Sequence, residues 1–226
     1  MHTISPGPGS AWAQAFLAVN AFARRTPWLH APLAAYAKDG VVLFAVLLLA
    51  GWWVARGSRD PARVAAALWG PIGVLLAVAV NQPVVAAWHE ARPYAVLPHV
   101  LVLVQRTTDP SAPSDHATMV GAAAACLLFV DRRLGIGTAV AAALMAFARV
   151  YVGAHYPHDV LAGLALGALV GVVGSYVTRR PPTGLITRLT CTRLRPLLVA
   201  GDPQQRPRPT DERPTMPGLA TAPARR

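Results

Sequence analysis

The sequence predicts an all-α membrane protein: a bundle of five transmembrane helices, six if one further segment inserts, preceded by an N-terminal interfacial helix. Three observations carry this expectation. Charged residues are only 14% of the 226, and Ala, Val, Leu and Gly come in long runs rather than amphipathic stripes. Several runs approach or exceed the roughly 20 apolar residues that a spanning helix needs. Short basic turns, from Arg56 to Arg63 and at Arg132-Arg133, separate the runs.

Residues 1–32 read as an N-terminal segment. Ala11 to Ala23 is apolar but short, and Arg24-Arg25-Thr26-Pro27 ends it. An interfacial helix is the preferred reading, and a sixth span is its competitor. The first thirty residues lack the basic-then-apolar pattern of a cleaved signal peptide.

Residues 33–178 read as the transmembrane domain. The first span covers about Leu33 to Ala55, with Lys38 and Asp39 as a local ion pair near one end. The second runs from Val64 to about Trp88 and carries Pro71 and a polar Asn81-Gln82-Pro83 break. An irregular segment follows, from His89 to Asp115. The third span, His116 to Val130, is short and rich in small residues, as suits a central helix. Leu134 to about Val152 is the fourth, Gly153 to Tyr156 the connection, and Pro157 to Val177 the fifth.

Residues 179–226 read as a basic, Pro- and Arg-rich cytoplasmic tail, mostly disordered. From Thr178 onward ten Arg face Asp202, Asp211 and Glu212, so 10 − 3 = +7 of the formal net charge of +11 lies there. Following an apolar span, this charge fits positive-inside topology and anionic lipid, and no nucleic-acid partner is expected. Cys126 and Cys191 show neither a pairing pattern nor metal-ligand spacing.

Alternation of spans places the basic turns and the tail on one side, assigned to the cytoplasm. The other side receives Glu90, Arg92, Ser114, Asp115, His116, Arg149, His155 and Asp159. Ionisable groups at such depth default to function. Two guanidiniums, a hydroxyl and the free N–H groups of a helix start make a cradle for a tetrahedral oxyanion. Two histidines suit divided labour, one attacking phosphorus and one protonating the departing oxygen. His155 and Asp159 are four apart, so the carboxylate could accept the ring N–H and free the other nitrogen. Pro157 leaves that contact open. Glu90 is open between a site role and a partner for Arg92; Asp115 either turns away from the anion or pairs with an Arg. His89, His99 and His158 are expected to face solvent or to cap the irregular segment.

Arg92-Pro93, Pro113-Ser114-Asp115-His116 and Arg149-Val-Tyr-Val-Gly-Ala-His155-Tyr-Pro-His-Asp159 together resemble the three signatures of the type-2 phosphatidic acid phosphatase superfamily. The resemblance is closer to its bacterial undecaprenyl pyrophosphate phosphatases of the bacitracin-resistance type. These similarly carry a Glu two residues before the first Arg, Ser-Asp-His, and Gly-x-His-Tyr-Pro-x-Asp. It covers about Leu33 to Val177 and implies a hydrolase of the plasma membrane with its site on the extracytoplasmic side. Undecaprenyl pyrophosphate, a lipid carrier of cell-wall peptidoglycan synthesis, would be hydrolysed through a phosphohistidine. By the same resemblance His155 is the nucleophile, Asp159 orients it, and His116 is the general acid. Arg92, Ser114 and Arg149 hold the phosphate, Glu90 and Asp115 are supporting candidates, and neither metal nor cofactor is implied. One departure stands out: the first motif often begins with Lys seven residues before its Arg, where this chain has Val85.

The alternatives are a phosphatidate or phosphatidylglycerophosphate phosphatase, a lipid phosphotransferase and, in another class, a non-enzymatic membrane scaffold or transporter. The complete His–His–Asp set argues against the scaffold, and transport would predict inverted repeats, which the sequence does not show.

Overall fold

The computed structural model describes residues 6–178 apart from Pro8 and Arg59. The expected disordered tail, 179–226, lies outside the described residues. The described chain is all-helical: α1 (Ala11–Arg25), a 3-10 turn (Pro27–Leu29), α2 (His30–Asp39), α3 (Val41–Gly57), α4 (Pro61–Trp88), α5 (Pro93–Val96), α6 (Asp115–Val130), α7 (Arg132–Tyr151) and α8 (Pro157–Thr178).

The starts of the helices follow from their caps. Ser10 Oγ accepts from the Ala13 N–H (3.2 Å), Asp60 from Ala62 (2.9 Å) and Asp131 from Leu134 (2.9 Å). Each satisfies an amide that the first turn leaves free. Pro61 adds a preset φ at the first position of α4. The polar break expected at Asn81-Gln82-Pro83 does not interrupt α4, which continues through both Pro71 and Pro83.

The count of spans is lower than the sequence suggests. Among the described residues three helical stretches are long and apolar enough to cross a membrane: Pro61–Val96, Arg132–Tyr151 and Pro157–Thr178. A fourth is reached only if α2 and α3, bent by 57° where they meet, count as one span. The expected five or six spans are therefore corrected to three, or up to four, among the described residues. The sequence-predicted third span, α6, has 16 residues, about 24 Å of helix against a hydrocarbon core of about 30 Å. At 15 residues α1 is shorter still. A helix apolar on all sides is equally one wrapped by lipid or one wrapped by protein, and α6 is the second kind. It packs against α8, α4, α7 and α3.

Small residues let α6 sit so close. Gly163, Gly167 and Gly171 lie four apart on α8 and face α6; a Cβ on Gly163 would come within 2.6 Å of the Ser114 carbonyl oxygen, and one on Gly171 within 2.8 Å of that of Ala122. Outward-facing Leu75, Val140 and Leu169 are 72%, 67% and 60% exposed, as expected of a multi-pass protein whose solvent there is lipid. Helix α1 lays Ala13, Phe16, Asn20 and Ala23 against the bundle. Asn20 also clamps the irregular segment, donating to the Leu101 carbonyl (2.8 Å) and accepting the Leu101 N–H (3.0 Å).

Candidate active site

Four helix termini meet at one end of the bundle: the ends of α4 and α7 and the starts of α6 and α8. The connections between them are fixed by backbone hydrogen bonds. Ser111 N–H donates to the Glu90 carbonyl (2.7 Å), Ser114 N–H to that of Asp159 (3.1 Å), and Leu103 N–H to that of Val152 (2.9 Å). Between α7 and α8 the chain reverses at Gly153, whose φ of +81° lies in the left-handed region that glycine enters without strain. That turn carries His155 back to Arg149, six residues earlier.

His155 is buried. Its Nδ1 lies 2.8 Å from the Ser111 carbonyl oxygen, which can only accept, so the ring proton sits on Nδ1 and Nε2 carries the lone pair. Both arginines of the motifs point at that lone pair, Arg149 Nη2 at 3.1 Å and Arg92 Nη1 at 3.4 Å. Burial pushes the imidazole down to about 4; Asp159 pulls it upward, and the Arg149 and Arg92 charges add to the depression. The neutral ring is thus the form present at neutral pH. Asp159 Oδ2 stands 3.6 Å from Nδ1, beyond hydrogen-bond length. The anticipated His155–Asp159 hydrogen bond is replaced by the Ser111 carbonyl, and Asp159 acts on the ring through its charge.

Asp159 is fully buried and has structural partners of its own. Its Oδ2 accepts the Tyr156 N–H at 2.8 Å, an acid in the first turn reaching back to the residue before the helix. The same oxygen accepts the Ser111 hydroxyl. One side chain therefore starts α8 and ties it to the strap that carries the His155 acceptor. His158 Nε2 lies 3.0 Å from the other oxygen, Oδ1, and 2.9 and 3.0 Å from the two oxygens of Glu90. Glu90 pairs with His158, so it is not the partner of Arg92. Nor does His158 face solvent: it is largely buried, stacked on Tyr156 and packed against Trp12. Glu90, His158 and Asp159 offer ligand atoms within 4.8 Å of one another, where a metal ion would fit. A proton on His158 Nε2 donated to Glu90, with the Asp159 charge beside it, accounts for the same distances.

Ser114 is the N-cap of α6, yet its side chain makes no capping bond. Its Oγ and the Arg149 Nε are buried and lack hydrogen-bond partners among the described residues. A bound anion would satisfy both. His116, in the first turn of α6, is half-buried beside the Lys38 backbone and within electrostatic reach of Arg149, His155 and Arg92. Asp115 makes no ion pair with either arginine among the described residues: one carboxylate oxygen accepts from Asn81 Nδ2 (2.7 Å) and Gln82 Nε2 (3.0 Å). The polar pair in α4 therefore anchors the start of α6. Arg92 is steadied by the carbonyls of Asp109 (3.0 Å) and Ala154 (3.3 Å).

A cavity of about 1010 Å³ opens onto this cluster, lined among others by Lys38, Arg92, His116, Arg149 and His155. It has a neutral imidazole with a free nitrogen, two guanidiniums beside that nitrogen and a second imidazole; the unpaired hydroxyl of Ser114 is buried two residues before His116. Such a set can bind a tetrahedral oxyanion and present a nucleophile to it. Sequence reasoning missed Ser111 and His158. No sequence signal marks a backbone carbonyl as an acceptor, while Gly-x-His-Tyr-Pro-His-Asp did place His158 beside a motif carboxylate.

Residues 66–181 match the family model described as the PAP2 superfamily. The chain is 28% identical over 156 residues to the undecaprenyl-diphosphatase BcrC of Bacillus subtilis, covering 69% of this chain and 78% of that protein. It is 40% identical over 79 residues to a lipid A 1-phosphatase of Rhizobium johnstonii, 35% of this chain and 32% of that one. Among solved structures it resembles a transmembrane PAP2 type phosphatidylglycerolphosphate phosphatase from Bacillus subtilis, with a TM-score of 0.54 and 19% identity over 77% of this chain and 90% of the other.

Proposed function

The chain belongs to the PAP2 superfamily, and on that premise we propose that it is a lipid-phosphate phosphatase that hydrolyses undecaprenyl diphosphate to undecaprenyl phosphate through a phosphohistidine. The observation that carries the mechanism is the tautomer of His155: its proton is held by the Ser111 carbonyl, and its lone pair faces two arginines. The substrate is favoured by the similarity to BcrC over most of both chains.

In the first step Nε2 of His155 attacks the terminal phosphorus. A P–N bond forms, the bridging P–O bond breaks, and the lipid phosphate leaves with the bonding electrons. Arg92, Arg149 and Ser114 hold the non-bridging oxygens, and the charge of Asp159 stabilises the ring as it becomes cationic. His116 is the acid that protonates the departing oxygen; burial and then the Arg149 charge hold its ring down to about 4 in the free site, so it takes up that proton together with the anionic substrate, whose charge favours the imidazolium. In the second step water, giving its proton to His116, attacks the phosphohistidine; orthophosphate leaves and His155 is restored. The basic turns at Arg56 and Arg63 and at Arg132 and Arg133 lie at the opposite end of the bundle, which supports a site on the extracytoplasmic face of a bacterial plasma membrane.

The test is phosphate release from undecaprenyl diphosphate, phosphatidate and phosphatidylglycerophosphate in EDTA, by wild type and His155→Ala. Chelator-resistant release that prefers the diphosphate and vanishes in the variant is the expected result. Retained activity in His155→Ala would refute the phosphohistidine. Preference for either glycerolipid would replace the substrate and leave the chemistry, and loss of activity in EDTA would point to a metal at Glu90, His158 and Asp159.

A further inference from the structure

The cavity carries one cation that the mechanism above does not use. Among its lining residues the positive side chains are Lys38, Arg92 and Arg149. The two arginines converge on Nε2 of His155, at 3.4 and 3.1 Å, and so mark where the reacting phosphate sits. Lys38 is exposed to the cavity and makes no ion pair among the described residues. The sequence suggested an ion pair with Asp39, and none forms.

Lys38 is there because the first membrane segment breaks. α2 ends at Asp39, Gly40 follows, and α3 leaves at 57°. Glycine suits the break, since a Cβ at position 40 would run into the Tyr36 carbonyl oxygen one turn back, and also meet the mobile end of Met145 on α7. Ending α2 frees the carbonyls of its last turn, and the site takes one of them: Arg149 Nη1 donates to the Ala37 carbonyl at 3.1 Å. The Lys38 backbone stands beside the His116 ring. The end of α2 is thus built into the phosphate site, with Lys38 one residue from the carbonyl that Arg149 grips. Val85, which also lines this cavity, carries no charge.

The lining carboxylates are Asp39, Asp109 and Asp115. Asp115 is held by Asn81 and Gln82. A diphosphate brings more negative charge than a monophosphate into this setting and needs a cation beyond the two arginines. We infer that Lys38 binds the second, lipid-attached phosphate of a diphosphate substrate, so that the α2–α3 break selects diphosphates over monophosphates. The inference rests on the proposed phosphatase reading and names the group that sets its substrate class. When the bridging P–O bond breaks, the electron pair goes to the phosphate that Lys38 holds. The ammonium stabilises that charge without transferring a proton, and its contribution is therefore to turnover as well as to binding.

The experiment compares wild type, Lys38→Met and Lys38→Arg in detergent with EDTA. It uses a prenyl diphosphate and the matching prenyl monophosphate as substrates. Methylenediphosphonate and orthophosphate serve as inhibitors of whichever substrate is turned over. In Lys38→Met the ratio of kcat/KM for diphosphate over monophosphate should fall about tenfold or more, as should the selectivity for methylenediphosphonate over orthophosphate; Lys38→Arg should recover most of both. A uniform loss on all four compounds would assign Lys38 a structural role, and unchanged ratios would remove it from the site; either result overturns the inference. If wild type hydrolyses only monophosphates, the undecaprenyl diphosphate reading fails by itself. The inhibitor ratio then still decides whether Lys38 reads a second phosphate.

Discussion

Replacing Asp159 by Asn keeps the shape of the side chain and removes its charge, which isolates what the carboxylate does for His155. The carboxylate lies 3.6 Å from Nδ1, and both groups are buried. At an effective dielectric of about 20, a full positive charge on the ring would be stabilised by about 5 kcal/mol at that distance. A transition state with roughly half that charge on the imidazole would lose about 2 kcal/mol, or roughly 30-fold in rate. The tautomer survives, because the Ser111 carbonyl holds the Nδ1 proton. The loss should therefore fall on kcat for phosphohistidine formation, read in a single-turnover quench, with KM little changed. Asn must also turn its NH2 toward His158 Nε2, which lies 3.0 Å from Oδ1. A broken buried network costs about 3 kcal/mol, so a lowered melting temperature should accompany the kinetic effect, and the assay belongs well below it. A folded Asp159→Asn with kcat within threefold of wild type would refute the electrostatic role.

Two further predictions concern titration and packing. His155 is pushed down to about 4, so the free enzyme holds its nucleophile neutral above that pH and protonates it only below. Once the independently measured ionisation of the substrate is accounted for, the acid limb of kcat/KM should lie near pH 4. A limb near the ordinary imidazole value of about 6.5 would contradict the buried, arginine-flanked ring. Gly163→Ala places a methyl 2.6 Å from the Ser114 carbonyl oxygen and must push the start of α6 off α8. An overpacked contact costs about 1–3 kcal/mol, and the shift of Ser114 and His116 should lower kcat about tenfold or more. Gly137→Ala, with nothing within 4 Å, is the control; equal behaviour of the two would show that the seam does not position the site.

Much of the architecture was open to reading because it depends on local pattern. Apolar runs interrupted by Arg56, Asp60, Arg63 and Asp131-Arg132-Arg133 mark helices and turns, with capping residues where amides need acceptors. Connectivity alone then carries Arg92, Ser114, His116, Arg149, His155 and Asp159 toward one end of the bundle, whichever helices the lipid touches. The number of spans was not legible, since hydrophobicity reports transfer out of water without saying into what. The 16 residues of α6 are wrapped by protein, and the run from Leu33 to Ala55 is two helices bent at Gly40. Pairing was hidden for a related reason. Which acceptor takes the Nδ1 proton, whether Glu90 meets Arg92 or His158, and whether Lys38 meets Asp39 or the cavity depend on contacts 44, 68 and more than 100 residues apart. The sequence by itself determined the chemical inventory and the end of the bundle at which it collects. Only the tertiary structure decided the partners, because a buried polar group binds the acceptor that packing brings within 3 Å, and packing is a property of the whole chain.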